Sequence, residues 1–130
     1  MICKKIKYID YTGVERTEEH WFNLSRAEVI EMNYDVDGGL EATYRRIVDA
    51  KDEGTLVKIF KDLVLKSHGV ICDDGRRFKK TEEDRLAFSQ TEAYVELFME
   101  LARDEKAAIE FFNGIVPKVD GNVKTLPASN

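Results

Sequence analysis

Two cysteines, two prolines, two histidines and one tryptophan are all that this 130-residue chain contains of those types, and each scarcity narrows what it can be. Cys3 and Cys72 are too few for a disulfide scaffold and fit no zinc spacing, so they read as reduced thiols. Both prolines, Pro117 and Pro127, lie in the last stretch, PKVDGNVKTLPASN. The residues before it therefore carry no helix-breaking proline. No apolar run approaches the roughly 20 residues that a bilayer crossing needs. The basic residues of MICKKIKYID are followed by no apolar stretch of the kind a secretion signal carries. There is no Gly-rich phosphate loop, and no Ser or Cys nucleophile with a recognisable elbow or base. The expectation is a non-catalytic cytosolic protein without cofactor.

What is present points to a folded chain. Hydrophobic residues make up 43% and charged residues 35%, the profile of a globular domain rather than of a disordered segment. The net charge of −5 argues against broad binding to nucleic acid or to an anionic membrane. The length suits one domain, expected over residues 1–117, with a flexible tail over 118–130.

Residues 4–24 read as a β-hairpin. Ile6 and Tyr8 alternate with lysines, and His20, Phe22 and Leu24 share one face of the second run. Asp10-Tyr11-Thr12-Gly13 supplies a type I turn followed by a left-handed glycine. Ser25-Arg26-Ala27-Glu28 has the form of a capping box. The short helix it opens ends before the loop Asp35-Val36-Asp37-Gly38-Gly39. A second helix is expected over about 39–51, with Leu40, Tyr44, Ile47 and Val48 as its buried stripe. The third, Thr55 to Ser67, sets Leu56, Val57, Ile59, Phe60, Leu63 and Val64 against Lys58, Lys61, Asp62 and Lys66, with Gly69 as its stop. Residues 69–80 form a connector with a small hairpin at Asp74-Gly75. A short helix follows over Thr81 to Phe88. Ser89 opens the next with a second capping box, and Asp104 caps the last. The fold class is α+β, mainly α: an N-terminal hairpin packed on about five helices.

The segment FSQTEAYVELFMEL carries more apolar surface than a surface helix needs. Ala93, Tyr94, Leu97, Phe98 and Leu101 make one stripe, and Val95 and Met99 a second face, so the apolar arc covers about two-thirds of the circumference. Either the helix is buried on two sides, or the second face meets a partner. The contact residues expected for a partner are Val95 and Met99, extended by Phe112, Ile115 and Val116 of the last helix.

Other constellations are weaker. His20, His68, Cys3 and Cys72 lack paired metal-ligand spacing, and no metal site is expected. Asp35-Val36-Asp37-Gly38 echoes a calcium loop but meets Arg46 where the bidentate Glu belongs. Arg76, Arg77, Lys79 and Lys80 flank Phe78 as a nucleic-acid platform would, against an acidic whole. Glu82, Glu83 and Asp84 suit a helix N-terminus better than catalysis.

The runs IKYIDYTGVERTEEHWFNLSRAE, DGRRFKK, FSQTEAYVELFMEL and AAIEFFNGIVP resemble, as a set, the tail assembly chaperones of tailed phages and prophages of Gram-positive bacteria. The likeness covers residues 4–117. It implies a small, non-catalytic, largely helical protein of the infected host's cytoplasm. Such a protein coats the apolar stripes of the tape-measure protein and releases it as tail-tube subunits compete. The tape-measure protein is the first expected partner, with the major tail-tube protein and further copies of the chain after it. Some members of the group also occur in a longer, frameshifted form. The alternative is a structural virion protein of the tail or head–tail connector.

Overall fold

A computed structural model describes residues 1–35 and 39–117. Strands β1 (Ile2–Ile9) and β2 (Glu15–Phe22) form the hairpin; helices α1 (Arg26–Asp35), α2 (Gly39–Asp49) and α3 (Glu53–Ser67) follow. Two short strands, β3 (His68–Ile71) and β4 (Phe78–Lys79), lead to α4 (Glu82–Ser89), α5 (Glu92–Arg103) and α6 (Glu105–Ile115). The fold is α+β and mainly α. Beyond the expected hairpin, β3 and β4 extend it into a four-stranded antiparallel sheet of order β1-β2-β3-β4.

The hairpin turn is built as its residues dictate. The Gly13 amide donates to the Asp10 carbonyl at 2.9 Å, and Gly13 has a φ of 88°. The Asp10 carboxylate accepts from the Thr12 hydroxyl (2.7 Å), from the Thr12 and Val14 amides (2.8 and 3.0 Å) and from Arg16 Nε (2.6 Å). The Thr12 and Arg16 side chains hold the Asp10 pKa far below the usual carboxylate range. Register pairs Ile6 with Glu18 and Tyr8 with Arg16, which turns Ile6 and Tyr8 into the core.

Caps fix most helix starts. Ser25 and Glu28 bond reciprocally, Glu28 N to Ser25 Oγ at 3.1 Å and Ser25 N to Glu28 Oε1 at 2.8 Å. Asp52, Thr81 and Asp104 cap α3, α4 and α6. The second capping box is displaced: Thr91 caps α5, whereas Ser89 is the last residue of α4 and its hydroxyl donates to Leu86 O at 2.6 Å. Gly69 is also not a helix stop. The helix ends at Ser67, His68 is extended, and Gly69 lies in β3 under the Phe78 ring. A Cβ there would come within 2.5 Å of Phe78 Cε2, so a side chain at this position would have to push the Phe78 ring aside; close packing, not a left-handed turn, favours glycine. Val48 is 40% exposed and drops out of the α2 stripe, leaving Leu40, Tyr44 and Ile47.

The core gathers Phe22 and Leu24 from the end of the hairpin, Phe60 and Val64 from α3, Leu97 and Leu101 from α5, and Phe111, Phe112 and Ile115 from α6. Phe22 stands edge-on to Phe111 at 5.2 Å, and Phe60 to Phe111 at 6.0 Å. The crossing from β2 to α1 passes two helix ends: Asn23 N donates to Ser67 O and Leu24 N to Ile115 O, both at 2.8 Å. Those are the final carbonyls of α3 and α6, which have no partner within their own helices.

Candidate functional site

The five expected contact residues separate. Val95 is 37% exposed and Met99 half-buried on the outer side of α5. Phe112 and Ile115 are fully buried and Val116 is 5% exposed, so these three belong to the core and cannot meet a partner while the domain is folded. The reason lies in what α6 touches: it packs on α2, α5 and β1, with the Tyr44 ring 5.9 Å from Phe112. The wide arc of α5 is largely used inside the fold as well. That helix lies among α3, β1, α6 and α4. Its Ala93, Leu97 and Leu101 are buried, and Tyr94 and Phe98 pack ring to ring at 5.7 Å.

The apolar surface left open lies elsewhere. A groove of about 750 Å³ runs between α2 and α3, closed by Met32 of α1 and bordered by Arg85 of α4. Its volume falls in the roughly 300–1,000 Å³ span of binding clefts. Half-buried Ile59 and Leu65 supply the accessible apolar floor, over the buried Met32 and Leu63. The hydroxyls on its walls are already engaged. Thr43 Oγ1 donates to Gly39 O (3.0 Å) and accepts from Arg46 Nη2 (3.2 Å), while Thr55 Oγ1 donates to Asp52 (3.2 Å). An apolar floor of this kind can hold apolar side chains.

The rim is basic. Arg46, Lys58, Lys66 and Arg85 border the groove against one carboxylate on its lining, Asp62. Arg85 is tied to Glu82 at 2.6 Å and to Leu65 O at 3.2 Å. Among the described residues, neither Lys58 nor Lys66 has an ion-pair partner. The field reaches Lys80, whose pKa is lowered by burial first; Glu28 opposes the shift, and Lys66 and Arg85 add to it. From sequence, Lys58, Asp62 and Lys66 look like an ordinary solvated face. The available signal was Ile59, at the edge of the apolar side of α3 next to Lys66.

The remaining constellations resolve into structure. His20 Nδ1 and His68 Nε2 meet at 3.2 Å, and His20 Nε2 contacts Glu18 at 3.1 Å. His68 stacks on Phe88 at 4.0 Å. Burial first, then the neighbouring His20, lower the His68 pKa to about 4, against an opposing pull from Asp84. Among the described residues no three His, Cys, Asp or Glu side chains are grouped to hold a metal. Of the calcium-loop echo Asp35-Val36-Asp37-Gly38, residues 36–38 lie outside the described residues. In the basic loop, Lys80 is engaged with both Glu28 carboxylate oxygens (2.8 and 2.9 Å) and with Asn23 O (2.7 Å). Lys79 pairs with Asp84 at 3.3 Å, and Phe78 covers Gly69. Two of the four cations and the aromatic ring are thus spent within the fold. No helix among the described residues is long and apolar enough to cross a membrane.

A family model described as phage tail assembly chaperone matches residues 1–122. No curated protein and no solved structure matches the chain.

Proposed function

Because the chain belongs to the phage tail assembly chaperones, we propose that it holds an apolar helical stretch of the tape-measure protein in the groove between α2 and α3. The observation that carries this reading is the groove itself, with half-buried Ile59 and Leu65 accessible over the buried Met32 and Leu63 and cations around the rim. A helix laid into such a groove hides its own apolar stripe from other chains, the helix-in-groove mode of recognition. Val95 and Met99 add a smaller second contact on α5. The role is non-catalytic: binding and release suffice, and weak contacts repeated over many copies would let tail-tube subunits displace the chaperone in the host cytoplasm.

The test is co-expression of the chain with a tape-measure fragment that is insoluble alone. The wild type keeps the fragment in the soluble fraction. Ile59→Asp, confirmed folded by its urea transition, loses about tenfold in capture, the cost of placing a carboxylate against an apolar helix. Undiminished capture by the folded variant would remove the groove from this role. Recovery of the chain in stoichiometric amounts from purified virions would favour a structural subunit instead.

A further inference from the structure

The chemistry of the groove specifies its occupant further than an apolar stripe does. Resting on the reading that the groove receives a helix, we infer that it selects an amphipathic helix whose apolar stripe is flanked by Glu and Asp. The chain as a whole carries 25 acidic against 20 basic residues. Around this groove the balance inverts, with Arg46, Lys58, Lys66 and Arg85 against Asp62. In an acidic protein, a cationic rim around an apolar floor is charge-complementary to acidic flanks and repels basic ones. Among the described residues Lys58 and Lys66 have no ion-pair partner, whereas Arg85 is paired with Glu82 and Arg46 is bonded to Thr43.

Two other occupants fit less well. The segment after Pro117 carries Lys118, Asp120 and Lys124, which is not an acidic stripe. A second copy would offer the outer side of α5, where Glu92 is held by Tyr11 and Glu100 by Lys4 within the same fold, which leaves Glu96 alone beside Val95 and Met99 among the described residues.

The experiment measures binding of two synthetic helical peptides to the full chain by fluorescence anisotropy. Both peptides share one Leu/Ile stripe; one has Glu flanks and the other Lys flanks. The Glu peptide should bind about tenfold tighter at low salt, from a few rim pairs of modest strength plus repulsion of the Lys peptide. At roughly 1 M salt, where screening acts within about 3 Å, the preference should shrink to about twofold. Lys58→Glu with Lys66→Glu should invert the preference while leaving the urea midpoint close to that of the wild type. If both peptides bind equally and Ile59→Asp abolishes both, the groove remains a helix receptor and the acidic assignment is overturned. If neither peptide binds, the helix-in-groove reading falls with it. Self-association of the wild type that disappears in the double Lys variant, with no peptide bound, would put a second copy in the groove and overturn the assignment to a foreign helix.

Discussion

Helix α5 and the groove side of α3 are opposites in sequence and in structure. The first is greasy around most of its circumference and finds neighbours for nearly all of it: α3, β1, α6 and α4. The second presents Lys58, Asp62 and Lys66 and yet borders the open apolar floor. Apolar width along a single helix therefore measures how many neighbours the helix has, not how much of it is vacant. Vacancy is set between helices, and α2 and α3 leave a groove over Ile59 and Leu63.

The sharpest way to break this comparison is to treat a closed residue as if it were open. Phe112→Ala should destabilise the domain by about 3–5 kcal/mol, as expected for a buried aromatic truncated in a packed core, read from urea unfolding. A variant that unfolds normally but loses partner capture would return Phe112 to the surface.

The closed side also carries a titration. Below its ordinary pKa of 6.5, His68 in the unfolded chain binds a proton that the folded chain refuses until about pH 4. Stability should therefore be nearly complete above pH 6.5 and fall by about 3 kcal/mol as the pH drops to 4. His68→Phe, which keeps an aromatic ring beside Phe88, should flatten that part of the profile. An unchanged slope in the variant would assign the acid sensitivity to other groups.

The smallest effect sets the two open surfaces side by side. Val95→Asp with Met99→Asp should leave the domain folded and reduce capture of a tape-measure fragment by about twofold, against about tenfold for Ile59→Asp; exposed single contacts carry a minor share of an interface. Unfolding of the double variant would place both residues in the core. A larger loss of capture than Ile59→Asp produces would make α5 the principal surface.

Local chemistry made much of this fold legible. The Asp10–Gly13 turn, the Ser25–Glu28 box, the Asp104 cap and the stripe of α3 all act within a few residues of one another, so their spacing alone specifies them. The misreadings share a cause as well. Ser89 and Thr91 are both competent caps, and the choice between them depends on where α4 stops. Gly69 is favoured because the Phe78 ring, nine positions on, folds back over it. Phe112, Ile115 and Val116 look like a spare face until α2 and β1 close on α6. The groove was the least legible feature, since no spacing within one helix encodes the angle between two.

The consecutive amides of Asn23 and Leu24 have a consequence for how the molecule is made. One takes the terminal carbonyl of α3 and the other that of α6, so the exit from the first strand pair is bolted to residue 67 and to residue 115. During translation, the opening hairpin emerges long before its second bolt exists. The nascent domain must stay ajar until nearly the whole described chain has been synthesised. A ribosome halted between α5 and α6 would carry a hairpin with one anchor, and its amide at Leu24 should exchange with solvent far faster than in the finished protein.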